Sequence, residues 1–379
     1  MNAHAEPGEA GREQSLREFV GRALGREHLE FAHASADAGM RRYWRVRAGG
    51  RSFVVMDAPP AQNDLASFLA IGTLLRDGGI LVPEVHSRDL NEGFLLLSDL
   101  GMQTMLQAID AGADPEPMFD AAIDALVRLQ GIGVPSSLPS YDAALLEREL
   151  DLFPDWYLAR HRGIHLKEAD HATWLDARAR LVEAALAQPH VLVHRDYMPR
   201  NLMPMRLAAA GRPLSLARAA GEGGPLASRE RCVRESGQTG SRPSGRPSAE
   251  CLMGVLDFQD AVAGPIAYDP ISLVKDAFRS WPAARAEGWL HAYWRRARAA
   301  GLAVPDWPRF QRDADWIGMQ RHLKIIGIFA RLKHRDGKAH YVADVPRFFA
   351  YLGEVLPRYP ELAGFAALIA RLAPDGTST

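Results

Sequence analysis

Apolar positions first recur at helical spacing in Ser15 to Leu24, where Leu16, Phe19, Val20 and Leu24 share a face and predict a short amphipathic helix. Residues 1–14 before it carry no such pattern and are expected to form a flexible tail. Arg42 to Arg47 and Ser52 to Met56 are rich in aromatic or β-branched residues, and Ala48-Gly49-Gly50-Arg51 between them reads as a hairpin turn. Asn63 to Leu75 predicts a helix that stops at Asp77-Gly78-Gly79. An extended stretch starts at Val82-Pro83 and Val85, and Gly93 to Leu97 forms a strand running into Ser98-Asp99-Leu100. The first hundred residues therefore predict a small β-rich lobe.

The pattern then turns helical. Helices are expected over Phe119 to Gln130, Leu145 to Leu158, Trp174 to Leu186, Ile271 to Phe278, Glu287 to Ala300, Phe310 to Leu332 and, with a break near Pro357, Val345 to Leu372. In Phe310 to Leu332, Met319, Leu323, Ile326 and Ala330 fall on one face, as core packing requires. Two short strands, Val191 to Val193 and Gly254 to Leu256, each run straight into a polar cluster. The fold class is α+β, with sheet at the front and helices at the back.

Residues 205–250 break the pattern. They contain no Phe, Trp or Tyr and are crowded with Arg, Gly, Ser and Pro, so they bury too little apolar area to offset the entropy of ordering. A disordered insertion is expected there, acting as an inert linker or, alternatively, as a basic interaction arm.

Length and charge narrow the function. The chain has 379 residues with 45 Lys and Arg against 46 Asp and Glu. A near-neutral balance argues against a polybasic nucleic-acid or membrane binder. Two cysteines make neither a disulfide scaffold nor a four-cysteine zinc site, no apolar run approaches the ~18 residues of a membrane span, and the N-terminus lacks an apolar signal region. A cytoplasmic protein with no obligate protein partner is expected. Of the basic residues only five are Lys, and the first is Lys167.

Candidate chemistry lies at the ends of the two strands. Val191 to Val193 leads into His194-Arg195-Asp196, with Asn201 five residues beyond the Asp, and Val255-Leu256 leads into Asp257-Phe258-Gln259-Asp260. This set suits metal-assisted phosphoryl transfer: one carboxylate orients a hydroxyl nucleophile, while an Asn oxygen and a second carboxylate hold Mg²⁺ against nucleotide phosphates. The same motifs resemble the aminoglycoside phosphotransferase and choline kinase superfamily, relatives of protein kinases. With Arg42-Tyr43-Trp44-Arg45, Val54-Val55-Met56-Asp57-Ala58-Pro59-Pro60, Gly264-Pro265 and Tyr268-Asp269, the chain is more closely similar to bacterial N-acetylmuramate/N-acetylglucosamine anomeric kinases.

The resemblance implies a two-lobed, protein-kinase-like fold, with a nucleotide-binding lobe over 15–100, a catalytic and substrate lobe over 101–372, and ATP in the cleft between them. It implies Asp196 as the catalytic Asp, His194 as support for its turn, and Asn201 and Asp257 as Mg²⁺ ligands. ATP and Mg²⁺ are the expected cofactors and an amino sugar the expected small-molecule partner, phosphorylated at its anomeric hydroxyl in the recycling of cell-wall sugars. Ser98, Asp99 and Leu100 are nucleotide-hinge candidates. The family's small-lobe lysine is missing, so Arg41, Arg42 and Arg45 become phosphate-binding candidates, with Ala38-Gly39-Met40 as a close approach; a solvated basic turn is the alternative. Asp260, Trp156 and Tyr157 are substrate candidates, against structural hydrogen bonding for the Asp and helix packing for the aromatics. Asp269 is a further candidate for sugar binding or for the architecture of the active loop, with capping of the helix before Ile271 as the stronger alternative. A kinase for another hydroxylated substrate, such as an aminoglycoside or choline, and a catalytically silent nucleotide-binding or scaffold protein remain as alternatives.

Overall fold

The computed structural model describes residues 9–26, 28–35, 41–60, 64–207, 213–215 and 251–374. These form an α+β protein of the two-lobed kinase type, with a small β-sheet lobe and a larger helical lobe. By contacts the chain divides into two compact units, Met1–Met118 with Leu202–Gln259 and Phe119–Asn201 with Asp260–Thr379. The strands flanking the insertion thus group with the sheet.

In the first unit, helix α1 (Glu9–Leu24) precedes β1 (Glu30–Ser35), β2 (Arg42–Ala48), β3 (Arg51–Asp57), α2 (Leu65–Asp77), β4 (Val85–Asp89) and β5 (Phe94–Ser98). The strands form an antiparallel sheet in the order β1-β2-β3-β5-β4. Central β3 alternates Phe53 and Val55 onto the face that meets Leu16, Phe19 and Val20 of α1. Helix α1 starts at Glu9, inside the stretch read as a tail, because Arg12 is tied to the buried Asp57 at 2.8 Å through Nε. Asp64 caps α2 by accepting the amides of Ala66 and Ser67. A short helix that the periodicity did not predict, α3 (Met105–Asp110), starts at a reciprocal Thr104/Gln107 capping box.

The unit's second sheet has the order β8-β7-β9, from β7 (Leu202–Leu207), β8 (Pro213–Ser215) and β9 (Cys251–Val255). Leu202 pairs with Val255, and Gly254 lets Leu100 approach: a Cβ there would lie 2.9 Å from Leu100 Cδ1. Residues 205–207 and 213–215 of the expected insertion are strand, and the rest of it, 208–212 and 216–250, lies outside the described residues.

The second unit comprises α4 (Pro115–Gln130, from Phe119 onward), α5 (Ala143–Leu152), a π-helix (Phe153–Arg162), α6 (Glu168–Leu186), β6 (His190–Val193), β10 (Val262–Pro265), α7 (Tyr268–Val274), α8 (Ala283–Ala299), α9 (Trp307–Asp336), α10 (Val345–Val355) and α11 (Ala363–Leu372). The helix expected over Leu145 to Leu158 changes from α to π at Phe153-Pro154, where the proline has no N–H for the α ladder. Helix α9 runs through the core, and every residue from Asp313 to Gly327 is buried, not only the Met319-Leu323-Ile326 face. Gly327 permits its closest approach, since a Cβ would lie 2.4 Å from the backbone carbonyl carbon of Leu152. Gly327→Ala is therefore expected to lose about 3 kcal/mol of stability, measurable by denaturant unfolding. Among the described residues no helix is long and apolar enough to cross a membrane.

Candidate active site

Strand β6 pairs antiparallel with β10, Val193 opposite Val262, and delivers the chain into the turn that starts at His194. Asp196 lies half-buried in this turn. Its carbonyl accepts from Met198 N at 2.9 Å and from Asn201 Nδ2 at 2.9 Å, and its amide donates to His194 Nδ1 at 3.3 Å. The backbone of Asp196, rather than its carboxylate, carries these bonds. His194 is buried, with its ring edge-on to Tyr197, whose hydroxyl donates to Ala122 O at 2.7 Å.

The turn is also held from α7. Asp269 lies in the first turn of that helix, yet its carboxylate does not cap it. Instead Oδ2 accepts the His194 amide at 2.7 Å and Oδ1 the Arg195 amide at 3.0 Å. Asp269 is thereby a clamp on the His194–Asp196 turn rather than a cap on its own helix. Complete burial pushes its carboxyl up to about 7, against the opposing pull of the two amides. The clamp matters because Arg195 has φ 73°, the left-handed region that side chains other than glycine's disfavour.

Sequence reasoning did not find what holds the Arg195 side chain. Its Nη2 lies 2.5 Å from Glu149 Oε1, on α5, and Lys324 Nζ from α9 lies 2.8 Å from the same oxygen. Burial disfavours the Glu149 carboxylate, but the two cations outweigh it and hold it down at about 2. A detectable signal did exist: Gln320, Arg321, His322 and Lys324 sit in a helix otherwise patterned for burial.

Asp257 belongs to the other unit. It follows β9 by two residues, is exposed, and also adopts a left-handed conformation, φ 63°. Gln259 Nε2 donates to its Oδ1 at 2.8 Å. Phe258 next to it stacks on Phe68 of α2 with ring centroids 4.8 Å apart, and Gly72 leaves room for that ring. Among the phosphate candidates, Arg45 pairs with Asp99 at 2.8 Å and also donates to Gly101 O, Arg42 pairs with Asp57, and Arg41 is half-buried ahead of β2. Burial opposes ionisation of Asp99, but hydrogen bonds from Arg45, Ser52 and the Gly101 amide take it below the usual carboxylate range. Ser98 closes on Glu84 through paired backbone and hydroxyl bonds, and Leu100 packs against Met203 and Met205. Ala38-Gly39-Met40 lies outside the described residues.

The substrate candidates are scattered. Asp260 is exposed, its carbonyl 3.5 Å from Arg195 Nη1. Trp156 is half-buried beneath the Arg160 guanidinium, 4.3 Å from the ring centre. Tyr157 is buried among Phe153, His161 and Phe349, and its hydroxyl accepts from Arg162 at 3.1 Å.

The model of the phosphotransferase enzyme family matches residues 31–206 and 248–311. The chain belongs to this family. The break between the two matched stretches coincides with the unusual segment between β7 and β9. An N-acetylmuramate/N-acetylglucosamine kinase from Pseudomonas putida is 48% identical over 340 residues, covering 89% of this chain and 87% of that protein. Its counterpart from Pseudomonas aeruginosa is 46% identical, covering 92% and 89%. Membership of that bacterial kinase group within the family follows. At the level of fold, a choline kinase from Streptococcus pneumoniae superposes with a TM-score of 0.58 at 10% identity, covering 91% of this chain and 99% of that one. Spectinomycin phosphotransferase in complex with ADP and spectinomycin gives 0.51 at 12% identity, covering 95% and 98%. The protein is thus an ATP-dependent kinase acting on a small hydroxylated substrate.

The donor chemistry fits Mg²⁺. Asn201 spends its amide NH₂ on Asp196 O, so its side-chain oxygen is the atom that would face a cation, and Asp257 is an exposed carboxylate. Among the described residues no group of three or more His, Cys, Asp or Glu is arranged to hold a metal. Hard oxygen donors of this kind, supplemented by phosphate oxygens and water, would suit Mg²⁺, which keeps part of its hydration shell.

Proposed function

We propose that this kinase phosphorylates the anomeric hydroxyl of N-acetylmuramate, N-acetylglucosamine or both, yielding the sugar 1-phosphate in the recycling of cell-wall sugars. The identity of 46–48% with two such kinases, over nine-tenths of the chain, supports the acceptor class. The observation that carries the chemistry is the turn at Asp196, whose backbone is bonded on both sides while its side chain is left for the substrate.

In this reading Asp196 orients the C1 hydroxyl and takes its proton as the oxygen attacks the γ-phosphorus, while the bond from that phosphorus to the bridging oxygen breaks and ADP leaves. His194 keeps the turn closed by accepting the Asp196 amide. Asn201 and Asp257 hold Mg²⁺, which neutralises charge on the phosphate oxygens when bound. Arg41, Arg42 and Arg45 are the cations proposed to meet phosphate in a lobe without lysine; Asp57 and Asp99 fix the second and third of them. Ser98, Asp99 and Leu100 are proposed to meet the adenine, and Asp260 the acceptor.

The test is ATP consumption with each acceptor, with the product identified by mass and by the position of its phosphate. A sugar 1-phosphate from either amino sugar is expected. Phosphorylation of an aminoglycoside or choline, with neither sugar turned over, would overturn the acceptor assignment. Asp257→Asn is expected to raise the Mg²⁺ concentration needed for half-maximal rate by about tenfold or more and to lower kcat by about 10²-fold, since a neutral oxygen replaces a charged ligand. An unchanged Mg²⁺ titration would remove Asp257 from the metal.

A further inference from the structure

We propose that Glu149 is a positioning residue for phosphoryl transfer: through Arg195 it holds the left-handed turn that presents Asp196. The inference rests on the reading of Asp196 as the residue that takes the acceptor's proton.

The first observation is the strain at Arg195. A residue at φ 73° is expected to be glycine unless its side chain does something glycine cannot. The Arg195 side chain is held at three points. Nη2 is 2.5 Å from Glu149 Oε1, Nη1 is 3.5 Å from Asp260 O, and the guanidinium lies 5.6 Å from the centre of the Tyr141 ring. The backbone bond to Asp269 fixes one end of this residue and Glu149 the other, so the peptide leading to Asp196 has little freedom to turn.

The second observation is the saturation of Glu149. Its side chain is 7% exposed and each oxygen meets two donors. Oε1 takes Arg195 and Lys324; Oε2 takes Gln320 at 3.1 Å and the Tyr141 hydroxyl. A carboxylate with all its lone pairs engaged is an anchor rather than a base or a ligand. It is also outnumbered: the buried Lys324 and the half-buried Arg195 share one carboxylate, and Asp196 is a second carboxylate in the field of Lys324. Lys324 further donates to the Tyr268 hydroxyl at 3.2 Å, on the residue preceding the Asp269 clamp. The cluster therefore joins α5, α7 and α9 at the turn.

The experiment is a double-mutant cycle on the full-length enzyme with ATP and the acceptor it turns over, using Glu149→Gln, Arg195→Gly and the pair. Arg195→Gly removes the anchor while suiting the left-handed backbone, so it is the variant least exposed to misfolding. Each single change is expected to lower kcat by about 10²-fold, as a small misplacement of a reacting group does, with the KM for ATP within about twofold. The double variant is expected to be no slower than Arg195→Gly alone, because both changes break one connection. Full kcat in Arg195→Gly, multiplying losses in the pair, or a lowered melting temperature without a change in kcat would overturn the proposal. Asp196→Asn separates the two levels. If it retains turnover, the reading of Asp196 fails; if it is inactive while Glu149→Gln and Arg195→Gly are fully active, only the role of Glu149 fails.

Discussion

Asp196→Asn is expected to reduce kcat by about 10³-fold while leaving the protein folded and its KM for ATP little changed. The substitution preserves shape. It also preserves the local architecture, because the bonds from Met198 and Asn201 reach the Asp196 carbonyl and the bond to His194 leaves from its amide. What would be lost is the negative oxygen proposed to take the hydroxyl proton. A residual rate from positioning and charge neutralisation should persist, as phosphoryl transfer draws much of its acceleration from those terms. Steady-state kinetics alongside thermal unfolding would check this. Turnover within a few-fold of the parent enzyme would show that Asp196 is not the group that receives the proton.

The second large effect is expected at Asp269, a residue that touches no reacting atom. Asp269→Ala strips the buried amide of His194 and the half-buried amide of Arg195 of their acceptor. Each stranded donor costs about 1–3 kcal/mol, so a loss of about 4 kcal/mol in unfolding free energy is expected, with turnover falling as the Asp196 turn loosens. The pH dependence gives a sharper signature. Burial raises the folded carboxyl to about 7 from an ordinary value of 3.8, with Asp196 adding to the rise and the His194 and Arg195 amides and Arg321 opposing it. Between those values the native state keeps a proton that the unfolded chain has released. Stability from this group is therefore complete below about pH 4 and is lost as pH rises toward 7, by about 4 kcal/mol in all. Unfolding curves at several pH values should show that decline in the parent protein and its absence in Asp269→Ala. Identical slopes in the two proteins would mean that the Asp269 carboxyl titrates normally.

The contrast between these residues shows what was readable beforehand. Asp196 and Asp257 stood out as candidates because each follows a short apolar strand, and Asn201 because it lies five residues beyond Asp196. Asp269 could be read from the sequence as an active-loop or a helix-start carboxylate, but not matched to its partners, which lie 74 and 75 residues earlier. Glu149, Arg195 and Lys324 come from α5, the turn and α9, and no periodicity links them. Tyr157 shows the reverse. Helix spacing allowed either a sugar platform or packing, and its ring is surrounded by Phe153, His161 and Phe349.

Elements were legible to the same extent. The Ala48-Gly49-Gly50-Arg51 turn and the strands on either side form the β2–β3 hairpin, Ala48 opposite Arg51, because alternation and a glycine turn specify a hairpin locally. The start of α1 was not legible. Arg12 belongs to that helix by virtue of Asp57, forty-five residues away. Nor was the full burial of α9, whose polar residues look like a solvated face until the helices around it supply their partners.

The sequence by itself determined the α+β class, the strand-borne Asp196 and Asp257, the Asn201 spacing and the absence of lysine from the small lobe, since each depends on residue type and short-range order. Only the tertiary structure decided which groups hold the His194–Asp196 turn in a strained conformation. That choice depends on hydrogen bonds and ion pairs between segments far apart in the chain, where burial makes each unmet partner costly and local patterning carries no information about who the partner is.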